Sequence, residues 1–307
     1  MNYVRRGTGK PLLLIHGLGN SHRSWDLIVD ELAAHRDVIA VDLPGFGATP
    51  ELPGEISIRT LADAVTDFVN ENDLIGIDAV GSSMGARLVL ELARRGGVLG
   101  AVVSLDPGGF WQGWEIPFFY QSVRLSAMLV NALQPVLPVL TGNPVGRTLL
   151  LAQFSARPWA LPAPVALQEL RTFVPSRTFS ELLENLVHGE EQQGAPVGSI
   201  QQPVVIGWGR QDLVCLPSQA KLAMEKFPDA QLHWFSHSGH FPQLDAPEAA
   251  TQLILAVTDG TYQPQTEPAT KQIEAPKAKQ LAENNVLLAT GAALLMFGLV
   301  VVLRMGR

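Results

Sequence analysis

The chain has 307 residues, a formal net charge of −7 and one cysteine, Cys215. A chain of this length can bury a substantial core, in one large domain or in two small ones. The acidic balance argues against nucleic acid as a partner, because no basic patch stands out, and a single cysteine excludes an internal disulfide.

The first third of the chain alternates between strand and helix patterns. Short apolar runs rich in β-branched residues predict buried strands, and apolar residues at helical spacing predict helices. The predicted strands cover residues 12–15, 38–42, 75–80 and 101–105, and the predicted helices cover 24–34, 57–69 and 84–95. This alternation predicts an α/β fold with a mostly parallel sheet, doubly wound by helices on its two faces.

The turn between the third of these strands and its helix reads Gly81-Ser82-Ser83-Met84-Gly85. A strand that passes directly into a helix forces the middle residue into a strained backbone conformation, and only very small residues fit at positions 81 and 85. The turn also presents the hydroxyl of Ser83 beside the first free amides of the helix. Ser83 is therefore the candidate nucleophile.

The alternation stops between residues 108 and 202. This segment is rich in aromatic residues, and prolines separate its apolar stretches, among them 122–133 and 179–187. We expect a helical insertion that covers the C-terminal edge of the sheet. Three tryptophans are candidates for lining an apolar substrate pocket: Trp25, Trp111 and Trp114.

The sheet pattern resumes after residue 202. Strands are predicted at 203–209 and 231–235, a helix at 218–227, and a closing helix up to about residue 257 with Asp245 as its N-cap. A serine nucleophile needs a general base and an acid that orients the base. His240, in the loop after the last strand, is the candidate base. Asp212 is the favoured acid, and Asp106, after an earlier strand, is its rival.

The composition changes again near the end of the chain. Residues 259–285 are rich in polar residues and proline and predict a disordered linker, and 286–303 form an uncharged span near the lower limit for crossing a bilayer. No secretory signal is predicted. Arg5-Arg6 resembles the start of a twin-arginine signal, but only a short strand pattern follows it, without the apolar segment that a signal needs. We therefore expect a single-pass membrane protein, anchored in the lipid bilayer by this C-terminal transmembrane helix, with its catalytic domain in the cytoplasm.

Five motifs in this order resemble the α/β-hydrolase superfamily, and within it the cap-bearing esterases and carbon–carbon bond hydrolases. They are His16-Gly17-Leu18-Gly19, Asp42-Leu43-Pro44-Gly45-Phe46-Gly47, Gly81-Ser82-Ser83-Met84-Gly85, Asp212 and Gly239-His240-Phe241. The resemblance implies an α/β-hydrolase core formed by residues 1–107 and 203–258, with residues 108–202 as its helical cap. It also implies that the backbone amides of Leu18 and Met84 form an oxyanion hole.

A serine at the nucleophile position favours acyl chemistry over epoxide or halide chemistry, for which relatives use an aspartate. We expect hydrolysis of carboxylic esters with apolar acyl or aromatic groups, through an acyl-enzyme on Ser83 and without a cofactor or metal. A carbon–carbon bond hydrolase is an alternative, for which arginines of the cap would hold an acidic substrate. An acyltransferase on the same fold and a non-catalytic, membrane-tethered binding module also stay open.

Overall fold

The computed structural model describes residues 1–265, so most of the predicted linker and the whole predicted anchor at 286–303 lie outside the described residues. The described chain forms one seven-stranded sheet in the order β1-β3-β2-β4-β5-β6-β7. All neighbouring strands are parallel except β1, which runs antiparallel to β3 at the edge. The strands are β1 (Tyr3–Arg6), β2 (Pro11–Ile15), β3 (Asp37–Val41), β4 (Ile77–Ser82), β5 (Leu99–Leu105), β6 (Val204–Gly209) and β7 (Gln231–Phe235).

Helices cover both faces of the sheet, and side chains that alternate along each strand enter two different cores. In β2, Leu13 and Ile15 pack in one core, whereas Leu12 and Leu14 pack in the other. This is the two-residue period of a strand that is buried on both faces. The helices of the α/β core are α1 (Val29–Ala33), α2 (Ile58–Glu71), α3 (Met84–Arg95), α9 (Ala220–Lys226), α10 (Pro242–Asp245) and α11 (Pro247–Thr258).

The residues between β5 and β6 are largely helical and supply a third apolar cluster of their own. The two helical stretches predicted here, 122–133 and 179–187, fall inside longer helices. The helices of this cap are α4 (Glu115–Leu133), α5 (Leu137–Gly142), α6 (Pro144–Leu151), α7 (Ala163–Thr172) and α8 (Arg177–His188).

Two predicted elements differ from the structure. The helix expected at 24–34 is a 3₁₀ turn, His22–Trp25, followed by the short α1. The carboxylate of Asp42 accepts a hydrogen bond from the His22 backbone and so fixes the start of this turn. The prediction that Asp245 caps the closing helix is wrong, because the N-cap is Ala246 and the Asp245 carboxylate bonds elsewhere.

The sheet brings the ends of its parallel strands to one edge. Ile15 of β2 pairs with Gly81 of β4, which pairs with Ser104 of β5. The loops that follow these strands therefore begin side by side.

The strand β7 forms the edge of the sheet opposite β1. Residues 259–265 lie against it, and the Gln265 side chain bonds to both the backbone N–H and the carbonyl of Trp234.

Candidate active site

The connection from β4 to α3 holds Ser83 in a strained conformation. Its backbone angles are φ 58° and ψ −115°, which a residue with a side chain rarely adopts. A Cβ atom at Gly81 would lie 2.1 Å from the Gly85 carbonyl oxygen, and one at Gly85 would lie 2.4 Å from the Ile15 oxygen. Only glycine fits at either position, so the spacing of the motif follows from the close approach of strand, helix and β2.

Ser83, His240 and Asp212 form a continuous chain of hydrogen bonds. The Nε2 atom of His240 lies 2.8 Å from the Oγ atom of Ser83, and its Nδ1 atom lies 2.8 Å from the Oδ2 atom of Asp212. His240 and Asp212 are buried, whereas Ser83 is partly accessible. An ionised carboxylate only accepts hydrogen bonds, so Nδ1 carries the proton and Nε2 is free to accept the proton of the serine.

The loop after β6 fixes the orientation of Asp212. Its Oδ1 atom accepts hydrogen bonds from the backbone N–H groups of Val214 at 2.7 Å and Cys215 at 3.1 Å. The other oxygen, Oδ2, is left for His240. A carboxylate held by two backbone donors keeps the imidazole in one tautomer and one orientation.

Asp106, the rival acid, lies beside Asp212 and not beside the histidine. Its Oδ1 atom accepts a hydrogen bond from the Gly209 backbone at 2.8 Å. Complete burial and the neighbouring charge of Asp212 raise the pKa of Asp106 well above its usual value. Both effects disfavour the ionised form of the Asp106 carboxyl.

The loop after β2 approaches the serine from the other side. A Cβ atom at Gly17 would lie 3.1 Å from the Cβ atom of Ser83, so this backbone is in contact with the candidate nucleophile. Leu18 follows it, and Met84 is the first residue of α3, whose early amides have no carbonyl partner within the helix. Within the described residues, no acceptor is bonded to either amide. Their assignment to an oxyanion hole stays a prediction.

A buried histidine holds this loop in place. The Nε2 atom of His16 accepts a hydrogen bond from the Leu43 backbone at 3.0 Å, so its proton is on Nδ1, which donates to the Gly17 carbonyl at 2.7 Å. Burial lowers the pKa of His16 to about 4. The imidazole is neutral at pH 7, and it joins the Gly17 loop to the loop that follows β3.

The cap contacts the histidine loop directly, and the residues that do so were missed from the sequence. The Phe154 carbonyl accepts a hydrogen bond from the His240 backbone at 2.9 Å. The Asp245 carboxylate accepts hydrogen bonds from the Ser155 hydroxyl and from the backbones of Ala156 and Gly239. Asp245 therefore ties the cap segment to the residue that precedes His240. The only sequence signal was its position, five residues after the histidine.

A second link between the cap and the core involves a buried glutamate. Glu169 of α7 accepts a hydrogen bond from the Asn20 side chain, just after the Gly17 loop. Its other carboxylate oxygen has no hydrogen-bond partner among the described residues. Burial raises the pKa of Glu169 to about 7 from its usual 4.5. This carboxyl is therefore half-protonated near neutral pH.

The three tryptophans proposed for the pocket occupy different environments. Trp25 is fully buried and packs in the same apolar core as Leu12 and Leu14 of β2. Trp111 is partly buried and stacks on Phe119, next to the loop after β5. Trp114 is 44% exposed on the outside of the cap. Trp111 has the position that best suits a pocket, and all three roles stay predictions.

Asp212, Cys215 and His240 are close enough to one another to hold a metal ion, with potential ligand atoms within 4.8 Å. Their bonding does not suit one. Both nitrogen atoms of His240 are bonded to Ser83 and Asp212. Burial and the nearby carboxylates raise the pKa of the Cys215 thiol well above its usual value, so the thiolate that a metal would bind does not form.

Comparison with known proteins agrees with this architecture. Residues 12–252 match the sequence profile of the Alpha/beta hydrolase family. An uncharacterized protein of Mycobacterium tuberculosis is 27% identical, over 83% of this chain and 77% of its own length. A thermophilic esterase from Thermogutta terrifontis superposes with a TM-score of 0.67 at 19% identity, over 85% of this chain and 94% of that one. A meta-cleavage product hydrolase from Pseudomonas fluorescens IP01 superposes with a TM-score of 0.64 at 21% identity, again over 85% and 94%.

At such identities, the structural likenesses establish the fold alone, and they confirm the predicted α/β-hydrolase fold. The profile match is the stronger finding, because it runs from β2 into α11 and includes every loop that carries Ser83, Asp212 and His240. The chain belongs to the α/β hydrolase family.

Proposed function

We propose that this protein is a serine hydrolase that cleaves carboxylic esters through an acyl-enzyme on Ser83. The observation that carries the proposal is the hydrogen-bond chain from Asp212 through His240 to the Ser83 hydroxyl, with both distances at 2.8 Å. A nucleophile, a base and an orienting acid in this geometry are what acyl transfer requires.

In this mechanism, His240 takes the proton of Ser83 as the serine oxygen attacks the ester carbonyl. The negative charge that develops on the carbonyl oxygen would be stabilised by the amides of Leu18 and Met84 and by the N-terminus of α3. His240 then protonates the departing alkoxide, and the alcohol leaves. A water molecule, deprotonated by His240, attacks the acyl-enzyme and releases the carboxylic acid and the free serine. Asp212 stabilises the imidazolium that forms in each half of the reaction.

An ester with an apolar acyl or aromatic group is the substrate class that the surroundings of Ser83 favour. Phe154, Phe173 and Phe241 form a cluster of rings where the cap meets the His240 loop. Trp111 and Phe119 stack on each other next to the loop after β5. Each methylene group that such walls bury contributes about 0.8 kcal/mol.

The contacts of two of the five cap arginines weaken the case for a carbon–carbon bond hydrolase acting on an acidic substrate. The guanidinium of Arg147 is bonded to the carbonyls of Thr141 and Trp159, and Arg177 is bonded to Glu181. An acyltransferase uses the same acyl-enzyme and differs only in the acceptor. Incubation of the protein with an ester and an alcohol, with the products identified by mass spectrometry, separates hydrolysis from transfer.

A fluorophosphonate probe tests the central claim. Such a probe phosphonylates a serine only where a base activates it, so the full-length protein should be labelled and Ser83→Ala should not. Ser82→Ala is the matched control, because Ser82 is the neighbouring buried serine and bonds only to Gln243. Labelling that survives Ser83→Ala would contradict the assignment.

The proposal also places the protein at a membrane, with the catalytic domain on the cytoplasmic side. The support is the uncharged span at 286–303, which has Lys271, Lys277 and Lys279 before it and Arg304 and Arg307 after it. The three lysines outnumber the two arginines, and positive charge favours the cytoplasmic side. Among the described residues, one helical stretch, Glu115–Gly142, has the length and composition of a membrane span.

A further inference from the structure

The cap carries most of the exposed apolar side chains of the described chain. Of the eleven large apolar residues that are exposed, eight lie between residues 114 and 159. We call this surface the cap face, and it consists of Trp114, Leu125, Met128, Val136, Val139, Val145, Leu149 and Trp159. Single exposed apolar residues are ordinary on soluble proteins, but eight within 46 consecutive residues form a concentration that marks an interaction surface.

The helix α4 is apolar on both of its sides. Val123, Ala127 and Val130 point into the cap, as the helical period requires of a packed face. Leu125 and Met128, three residues apart on the outer side, are each about half exposed. A helix on the surface of a soluble domain normally turns polar residues outward. The outer side of α4 therefore exposes two large apolar residues beside the polar residues Gln121, Arg124 and Asn131.

Hydrogen bonds connect α4 to the segment that follows α6. The Gln153 side chain, just after α6, bonds to the hydroxyls of Ser122 and Ser126 on α4. Leu149 lies one helical turn before Gln153, and Leu125 is adjacent to Ser126 in the chain. These bonds connect the part of the cap that bears Leu125 and Met128 to the segment that follows Leu149, and we group their exposed apolar residues as one surface.

Within residues 114–159, the charged side chains have the opposite sign to the net charge of the whole chain. The chain has a net charge of −7, but Glu115 is the only acidic residue between positions 114 and 159, against the three arginines Arg124, Arg147 and Arg157. Arg124 and Arg157 are exposed. Glu115 is half-buried and turned toward Gln219 of the core. An apolar surface with a cationic fringe complements an anionic lipid bilayer.

We propose that the cap face binds the surface of a lipid bilayer. Its apolar side chains would lie at the boundary between headgroups and acyl chains, with Arg124 and Arg157 at anionic headgroups. The stretch Glu115–Gly142 has the length and composition of a membrane span. Its inner side packs on the cap, however, which suits a helix that lies on the membrane and does not cross it. The chain beyond residue 265 contains the uncharged span 286–303, which would keep the cap near a bilayer.

Docking in this orientation would bring the reaction close to the lipid. The chain runs from Leu149, near the end of α6, to Phe154, whose carbonyl is bonded to the backbone N–H of His240. An ester dissolved in the membrane would then reach Ser83 by way of the cap. This consequence rests on the proposed esterase function, whereas the docking itself does not.

The test uses single-cysteine variants of the full-length chain, each labelled with an environment-sensitive fluorophore. Cys215 is fully buried and does not compete for the label. Met128→Cys and Leu149→Cys place the label on the cap face. Ile75→Cys is the matched control, because Ile75 is 57% exposed at the opposite end of the sheet, just before β4. Thermal unfolding followed by circular dichroism shows whether each labelled variant is folded.

The labelled proteins are reconstituted into vesicles of phosphatidylcholine and phosphatidylglycerol in equal parts, with and without a nitroxide-bearing lipid. The expected result is a shift of emission to shorter wavelength at positions 128 and 149, with strong quenching by the nitroxide, and neither effect at position 75. Equal behaviour at all three positions would overturn the proposal. So would a shift at 128 and 149 that the nitroxide does not quench, since protein would then cover the face, either a second copy or the chain's own tail.

The role of the arginines gives a second measurement on the same vesicles. Combining Met128→Cys with Arg124→Glu and Arg157→Glu should lower the ratio of docked to undocked cap by about fivefold or more for each arginine removed. The labelled Met128→Cys protein that keeps both arginines should show a similarly lowered ratio of docked to undocked cap on vesicles of phosphatidylcholine alone. Quenching that is unchanged in both experiments would show that anionic headgroups are not what the cap face binds. Neither readout depends on hydrolysis, so a failure here is distinct from a failure of fluorophosphonate labelling.

Discussion

Asp106 and Asp212 follow neighbouring strands, yet the structure gives them different tasks. Asp212 is hydrogen-bonded to His240, whereas Asp106 accepts a hydrogen bond from the Gly209 backbone. We expect Asp212→Asn to lower kcat by about 10⁴, because the imidazole loses its correct tautomer. Asp106→Asn should lower it by about tenfold or less, because the side-chain oxygen of asparagine can still accept the hydrogen bond from the Gly209 N–H. Steady-state kinetics on a short water-soluble ester compares the two, and the reverse ranking would mean that Asp106 is the orienting acid.

Asp245 should act on the reaction through the position of His240. Asp245→Ala removes the acceptor of the Gly239 N–H, and an unpaired buried donor costs about 1–3 kcal/mol. We expect a lower free energy of unfolding in urea and a fall in kcat that exceeds the change in KM. Asp245→Asn keeps one acceptor oxygen, so it should keep most of the free energy of unfolding and most of kcat. If Asp245→Ala loses stability while kcat is unchanged, Asp245 supports the fold without positioning the histidine.

Asp245 and Asp106 also show how much of a residue's role can be predicted from its position in the sequence. Ser83 was identifiable because its turn is encoded within five consecutive residues. Asp245 was misread as a helix cap because its partners Ser155 and Ala156 are about 90 residues away in the chain. A local pattern contains no information about a contact of that range. The raised pKa of Asp106 was hidden for the same reason, since it depends on burial and on Asp212.

At the level of helices, Glu169 makes the attachment of α7 to the core dependent on pH. Its pKa is raised to about 7 in the folded chain and is close to 4.5 when unfolded. Between these values the folded state holds a proton that the unfolded state has lost. The contribution of Glu169 to the free energy of unfolding therefore falls as pH rises from 4.5 to 7, by at most about 3 kcal/mol.

Glu169→Gln removes this titration and keeps an oxygen that can accept from Asn20. The variant should be more stable than the parent at pH 8 by up to about 3 kcal/mol, and the difference should shrink toward zero near pH 4.5. Urea unfolding across this range measures it. Glu225→Gln, at an exposed glutamate on α9, is the control and should show no such trend. A stability difference for Glu169→Gln that does not vary with pH would contradict the raised pKa of Glu169.

The elements of the fold were predictable to different degrees. The buried parallel strands β2 to β6 lie within about two residues of their predicted positions, because their apolar runs reflect burial on both faces. The edge strand β1 was missed, since three of its four residues are exposed and leave no apolar pattern. Three of the cap helices, α5 to α7, were hidden by prolines. In the structure each of these prolines lies in the first turn of its helix, where the missing N–H costs nothing.

Taken as a whole, the molecule combines an α/β-hydrolase core with a C-terminal segment of different composition, and the described residues include the start of that segment. The first residues of the predicted linker are packed on β7. Tyr262 contacts His233 and the core behind the sheet, and Gln265 bonds to both backbone groups of Trp234. Residues 259–265 therefore cover an edge strand that would otherwise expose unpaired backbone groups.

A chain that ends at Gln265 should be soluble and should keep its activity on small water-soluble esters. It retains every residue bonded to Ser83, Asp212 and His240 and lacks the uncharged span at 286–303. A chain that ends at Asp259 should also fold but with a lower Tm and more aggregation, because the edge of β7 is uncovered. Gel filtration, thermal unfolding and ester kinetics on the two truncated chains and the full-length protein compare them. If the chain that ends at Gln265 aggregates or loses its activity, the tail is part of the folded enzyme and does not serve as a membrane anchor.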